Sequence, residues 1–469
     1  MNSLETYNID YSIAKSVDIV KLVDYEIFPI FEDDIFIIVA SSNIEQETKE
    51  IMKLFNKPVK FIHCDTTYIK LELNYLQLKY ELYTLAKNSL LSVGNNLENS
   101  YILQFIDFLI KQSVDLNSSD IHIESFEDSL IIRLRIDGIL NQFFRFDIQL
   151  FSQISSILKF LSSLDISQKR LPLNGRFTRE IGDTKYEFRL STLPNIYGES
   201  IVLRILDNKN IQKDIDSIGF DQKSLYSFKK NISSTQGLIL VTGPTGSGKT
   251  TTLYSALNFL NNNSKKIITI EDPVEYKLDG VVQVNINNDI DLDYHTVLKN
   301  VLRQDPDILM IGEIRDTLSL HIAIRAALTG HLVIATLHTN NCVETISRLF
   351  DLKAEPYLVA TTLKMVISQR LVRILCEDCK VYDENLQSYK AIGCHKCNLT
   401  GYKSRQVVEE VLNIDEPLSK MVGENYSTLD ILEKAKQRGF KTLSQKAQEL
   451  IKDGLTSLEE YYNKISYEI

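Results

Sequence analysis

The sequence predicts an α/β protein, in which a mostly parallel, buried sheet is covered by helices, with an α+β region before it and a small cysteine-bearing module after it. Three observations predict this. Between residues 238 and 336, short aliphatic runs of strand length alternate with helical patterns. A glycine-rich octapeptide separates one such run from an amphipathic helix. Four of the six cysteines crowd into residues 376–397.

Three segments follow in order. Residues 1–95 mix short apolar and polar stretches without a catalytic signature, as a small docking domain would. The polar stretch 95–100 marks a boundary. In 96–210, residues 101–111 carry apolar side chains at helical spacing, and strand patterns then take over. Residues 130–136 and 139–144 flank Asp137-Gly138, a dipeptide suited to a two-residue hairpin turn. Gly182-Asp183 separates a second strand pair, with Tyr186, Phe188 and Leu190 on one face and Glu187, Arg189 and Ser191 on the other. In 211–469, residues 238–241, 267–270, 308–311 and 332–336 read as buried strands. Leu253, Ala256, Leu257 and Leu260 share one helical face.

Composition narrows the function. With 469 residues, 44% hydrophobic and 24% charged, the chain is an ordinary globular protein of about three domains. Its longest aliphatic runs fall far short of a membrane span. Residues 1–10 lack the basic start and apolar core of a secretory signal, so a cytoplasmic location, peripheral to any membrane, is expected. A net charge of -10 without a run of basic residues argues against nucleic acid as a partner.

The octapeptide Gly243-Pro244-Thr245-Gly246-Ser247-Gly248-Lys249-Thr250 fits G-x-x-x-x-G-K-T between a strand and a helix, and Thr251 continues into that helix. Small side chains let backbone N–H groups face phosphate oxygens, aided by the helix N-terminus. Lys249 is expected to neutralise the β- and γ-phosphates and Thr250 to ligate Mg²⁺, which makes ATP the expected ligand. Phosphoryl transfer also needs a carboxylate near the metal and a group that orients water. Glu313 ends one apolar strand, and Glu275 follows another.

At this point the chain resembles the type II secretion and type IV pilus assembly ATPases, from about residue 100 onward. The phosphate loop resembles their Walker A motif, residues 269–276 their Asp box, 302–316 their Walker B segment and 329–340 their His box. The resemblance implies a RecA-like P-loop core, a homo-hexamer and ATP hydrolysis. It implies that Glu275 orients or activates water, that Glu313 holds Mg²⁺, and that His338, with His331 behind it, senses the γ-phosphate. A helix-to-strand capping role is the alternative for His331.

Segments 119–124, 133–138, 170–176 and 188–192 resemble the family's domain preceding the motor core. There, arginines at the positions of Arg189 and Arg204 stabilise charge on the nucleotide, with Arg176 a weaker third. His122 lies between two inward-facing isoleucines and is expected to point to solvent and to bind nothing.

Cys376-x-x-Cys379 and Cys394-x-x-Cys397 are separated by fourteen residues, close to the spacing of a four-thiolate zinc ribbon within 374–403. His395 is a possible substitute ligand. Four thiolates close the tetrahedron, so the expected Zn²⁺ is structural. Cys64 and Cys342 stand apart and read as buried thiols. Assembly and secretion ATPases carry a similar module, followed by a glycine-tyrosine segment like Thr400-Gly401-Tyr402, whereas pilus retraction ATPases generally lack it. The expected function is therefore a cytoplasmic motor at the inner membrane. It would power (pseudo)pilus assembly, foremost for type II secretion, and dock on membrane platform proteins through residues 1–95. Type IV pilus extension and DNA uptake are the alternatives, ahead of a nucleic-acid translocase or a non-hydrolysing switch.

Overall fold

The computed structural model describes residues 4–44, 48–92, 100–206, 214–287 and 290–466. The chain divides into two compact units, one of residues 1–207 with 394–399, the other of 208–393 with 400–469. The boundaries expected near residues 95 and 210 both lie outside the described residues. Among the described residues, no helix is long and apolar enough to cross a membrane.

The first unit opens with strands β1 (Ile27–Glu32), β2 (Ile37–Ser41) and β3 (Val59–His63), ordered β1-β2-β3. Six more strands follow: β4 (Ser118–Ser125), β5 (Ser129–Ile136), β6 (Ile139–Asp147), β7 (Leu173–Ile181), β8 (Thr184–Asn195) and β9 (Gly198–Leu206). They form an antiparallel sheet in the order β6-β5-β4-β9-β8-β7. The Asp137-Gly138 turn works as its residues demand, because both adopt positive φ (49° and 83°), the conformation a tight hairpin needs. The alternation in β8 also holds, with Phe188 and Leu190 buried and Arg189 on the other face. Helices Tyr101–Asp115 and Gln149–Leu161 cover the sheet. One hydrophobic core takes residues from Leu4 through Leu203, so the N-terminal segment and the six-stranded sheet are packed together.

The second unit is built on seven strands: β10 (Gly237–Thr242), β11 (Ile267–Glu271), β12 (Val282–Asn285), β13 (Ile308–Ile311), β14 (Leu332–Leu337), β15 (Leu363–Leu375) and, after the small hairpin β16 (Val381–Asp383) and β17 (Ser388–Lys390), β18 (Tyr402–Asn413). Their order is β12-β11-β13-β14-β10-β15-β18. Every neighbouring pair is parallel except β15 with β18. Strands β10, β11, β13 and β14 are buried at every position, as continuous aliphatic runs between two helical layers should be. The sheet separates two cores.

The C-terminal helices are fastened to β15 and β18 by buried charge. The Arg373 guanidinium donates to Glu460 at 2.9 Å, with both side chains almost wholly buried. The Glu410 carboxylate accepts the backbone N–H of Cys342 at 2.6 Å and of Leu443 at 3.0 Å, each the first residue of a helix. It thereby satisfies donors that helix starts leave free. Burial pushes the Glu410 carboxyl above the ordinary range.

Candidate nucleotide site and metal centre

Phosphate-binding geometry begins where β10 ends. Gly243 has φ of +142°, and a Cβ there would come within 2.6 Å of the Gln369 carbonyl oxygen and 2.7 Å of Ser247 Oγ. Only glycine lets the loop turn this closely against β15. Gly246 and Gly248 also hold positive φ, and Gly248 caps helix Lys249–Leu260. Ser247 is 3% exposed, and its Oγ is a buried oxygen without a hydrogen-bond partner. A glycine cradle, a helix N-terminus and a polar atom awaiting a partner fit a bound phosphate chain.

Lys249 Nζ donates to the carbonyl oxygens of Gly243 (2.7 Å) and Pro244 (3.0 Å), so the ammonium sits within the loop it is expected to serve. Burial lowers its pKa to about 8, Glu313 opposing the shift and Arg370 adding to it. Those two charges thus act on the Lys249 ammonium from outside the loop. Thr245 and Thr250 are exposed.

The carboxyl ends of β13 and β14 supply the next groups. Glu313, just past β13, has its carboxylate 3.3 Å from His338 Nε2 and 2.9 Å from Arg315 Nε. Arg315 also approaches Asp272 at 3.6 Å, which links the segment after β13 to the one after β11. Thr339 is tied to the end of β10, its N–H donating to Thr242 Oγ1 at 3.0 Å. Glu313 and His338, both expected from the sequence, thus meet, and Arg315 and Asp272 join them only in the fold. Glu275 is half-buried on the loop after β11. That loop is held from below by the buried Glu271 carboxylate, which accepts from Thr269 Oγ1 at 2.6 Å and from the Tyr254 hydroxyl. Gln283 spans the same loop, accepting from Leu278 N and donating to the Tyr276 carbonyl.

Of the two readings of His331, the structure bears out the capping one: the residue lies at the amino end of β14, opposite the end that carries His338. Its Nδ1 is 3.0 Å from the Ala326 carbonyl and 3.2 Å from Thr329 Oγ1. It therefore caps helix Thr317–Leu328, because the helix must end and its last carbonyls need donors. His122 does not point freely to solvent. It is half-buried on β4, its Nε2 is shielded from water without a hydrogen-bond partner, and burial lowers its pKa.

The six-stranded sheet of the first unit carries the arginines. Across five strands, Arg176, Arg189, Arg204, Asp120 and Arg135 stand directly opposite one another in succession. Arg204 Nε donates to Asp120 at 3.0 Å, and Arg135 approaches the same carboxylate at 3.7 Å. Arg176 lies 3.5 Å from Glu187. Arg176, Arg189 and Arg204 line one surface depression with Asn174 and Ser191. The row holds four arginines and one aspartate, with Arg189 directly opposite Arg176 on one side and Arg204 on the other, and like charges so placed disfavour the pairing. The register that aligns them, and the place of Arg135 among them, was not legible in the sequence.

The cysteines of the two C-x-x-C pairs converge, with the sulfurs of Cys376, Cys379, Cys394 and Cys397 all within 4.8 Å of one another. Thiolates at about 2.3 Å from one zinc ion stand about 3.8 Å apart, and the Cys394 and Cys397 sulfurs are 3.8 Å apart. The donor set fits Zn²⁺, and His395 is not part of it. Gly401 lets the chain pass this module closely, because a Cβ there would lie 2.5 Å from that of Ala391. Cys64 and Cys342 are buried, as expected of lone thiols.

A glycine-rich loop at the carboxyl end of a central parallel strand, with an acidic strand end two strands away, defines an α/β nucleotide-binding ATPase. Residues 95–463 match the family model described as "Type II/IV secretion system protein", and the chain belongs to that family. Its relatives include a type II secretion system protein E of Dickeya dadantii, 41% identical over 378 residues, covering 77% of this chain and 75% of that one. A type IV pilus assembly ATPase PilB of Myxococcus xanthus is 40% identical over 382 residues, covering 77% and 68%. Among solved structures, the pilus retraction motor PilT with bound ADP is similar with a TM-score of 0.54 at 27% identity, over 76% of this chain and 95% of that one. The Legionella pneumophila ATPase DotB shares the fold, with a TM-score of 0.60 at 21% identity over 77% and 95%. The chain is accordingly an ATP hydrolase of the secretion and pilus ATPases.

Proposed function

We propose that this chain is the hexameric motor that powers assembly of a pseudopilus at the inner membrane for type II protein secretion. The observation that carries the hydrolytic part of the reading is the position of Glu313, held between His338 and Arg315 at the carboxyl ends of β13 and β14, on the same side of the sheet as the phosphate loop; the type II secretion part rests on the family match and the secretion protein E relative. The order β13-β14-β10, with one strand inserted between the acidic strand and the phosphate-loop strand, supports a RecA-like core. In this reading residues 243–251 hold ATP, Lys249 neutralises its β- and γ-phosphates, and Thr250 and Glu313 hold Mg²⁺, which supplies charge neutralisation when bound. Glu275 orients or activates the attacking water, and His338 reports the γ-phosphate through its contact with Glu313. Arg189 and Arg204 stabilise charge developing on the phosphates, which gives a reason for keeping mutually repelling arginines in one row. The four cysteines hold a structural zinc. The N-terminal segment docks on a membrane platform protein from the cytoplasmic side.

Type IV pilus extension is favoured nearly as well, since a PilB and a type II secretion protein E match at 40% and 41% identity; a DNA-uptake pseudopilus is a third reading of the same motor. Replacing the chromosomal copy by the Lys249→Ala variant in the native organism separates them. Loss of exported proteins from the medium with surface pili retained supports the secretion motor. Loss of pili or of DNA uptake alone would move the same mechanism to the other machine. All three processes running as in wild type would overturn the reading.

A further inference from the structure

We infer that Gln369 is a positioning residue for ATP binding, a latch from β15 that holds the phosphate loop in its binding shape. Strand β15 pairs in parallel with β10 up to Thr242 opposite Ser368; beyond that point it stays paired with β18 on its other edge, while its β10-side edge faces the phosphate loop. Gln369 is the first residue beyond that point and is wholly buried. Both ends of its amide are engaged: Nε2 donates to the Ser247 carbonyl at 2.8 Å, and Oε1 accepts from Thr252 Oγ1 at 2.9 Å. Its backbone carbonyl lies where a Cβ on Gly243 would have to go, and a Cβ on Gly248 would come within 3.0 Å of Nε2. One residue therefore meets the loop along its length, its backbone carbonyl at Gly243 and its side-chain amide at Ser247, Gly248 and Thr252.

The chemistry asks for glutamine. The Ser247 carbonyl needs a donor and the Thr252 hydroxyl needs an acceptor, both in a site closed to water. A planar amide offers the two at fixed separation, without charge. A glycine-rich loop is otherwise costly to order, because glycine loses more backbone freedom than any other residue on fixing. If the loop is already ordered before nucleotide arrives, that cost is not subtracted from the binding free energy. Next to it, Arg370 donates to the Asn340 carbonyl at 2.9 Å, and Ser368 Oγ donates to the same oxygen at 2.9 Å. The tripeptide 368–370 thus fixes the phosphate loop with its middle residue and the segment after His338 with its outer two.

The inference rests on the reading that residues 243–250 hold the phosphates, and the test separates the two. ADP affinity, thermal unfolding midpoint, KM and kcat are measured for wild type and for Gln369→Leu, Gln369→Glu, Thr252→Val and Lys249→Ala. Gln369→Leu removes both bonds and is expected to raise the ADP Kd and the ATP KM about tenfold, with kcat at saturation within about twofold of wild type. Thr252→Val removes one bond and should fall between, whereas Gln369→Glu sets a buried carboxylate against the Ser247 carbonyl and should weaken binding at least as much as Gln369→Leu. If Gln369→Leu does not fold, the nearly isosteric Thr252→Val carries the test. A folded variant of either residue that binds ADP as wild type does, whatever its unfolding midpoint, overturns the latch. Loss of affinity in Lys249→Ala alone would leave the loop reading standing and remove only Gln369. Unchanged affinity in Lys249→Ala would remove both.

Discussion

Nucleotide binding by this chain should take up a proton in mildly alkaline solution, and Lys249 is the reason. Its ammonium lies against the Gly243 and Pro244 carbonyls, and burial brings its pKa down to about 8. A polyphosphate beside it favours the charged form and moves the pKa up again. Free protein therefore holds fewer protons at this site than the complex in the window above pH 8, and affinity must fall as pH rises. With a free-state pKa of about 8, about three-quarters of the side chains are neutral at pH 8.5, and the ADP Kd should rise about tenfold from pH 7 to pH 9. The phosphate groups themselves lose their last proton well below this window, near pH 6. Isothermal titration calorimetry at pH 8.5, in two buffers of different ionisation enthalpy, reads the proton directly. Uptake of about 0.7–0.8 proton per ADP is expected, and Lys249→Arg, charged at every accessible pH, should show none. A flat Kd from pH 7.5 to 9 with no uptake in wild type would refute the placement of this lysine.

Other expectations follow from the same geometry. Arg204→Ala should leave ADP affinity nearly intact while slowing turnover steeply, toward the 10³–10⁵-fold range known for arginine fingers; equal steady-state turnover would remove Arg204 from catalysis. Glu460→Ala leaves the buried Arg373 guanidinium without its partner and should cost about 3–5 kcal/mol of stability in urea unfolding. A loss below 1 kcal/mol would mean that the helix Leu458–Lys464 is held by packing alone. Metal analysis of purified protein should find close to one zinc per chain and far less in Cys376→Ser, whose cysteine module should become protease-sensitive. A wild-type content far below one would rule out the zinc assignment.

Much of this was open to reading in the residues. The glycines of 243–248, the lysine after them and the strand that ends at Glu313 are local signals, because phosphate binding needs a turn of small residues between a strand and a helix, and consecutive residues encode that. The paired cysteines are equally local, since each C-x-x-C forms its own turn, the Cys379 and Cys397 N–H groups donating to the Cys376 and Cys394 carbonyls. Residues whose role depends on a distant partner were invisible. Gln369 looks like any strand residue until β15 is laid beside β10, and Arg315 is a loop cation until it meets Glu313 and Asp272.

The sequence by itself determined the classes of chemistry: an α/β sheet from continuous aliphatic runs, a nucleotide loop from glycine spacing, a thiolate metal centre from cysteine spacing. Each is a property of a short window, fixed by backbone conformation and periodicity. The tertiary structure decided which charges meet. It set the row Arg176–Arg189–Arg204–Asp120–Arg135 through strand register, turned His331 into a helix cap at the far end of β14, and brought β15 against the phosphate loop. Register and strand order depend on pairing between segments tens to more than a hundred residues apart, and no local pattern specifies which partner a strand will choose.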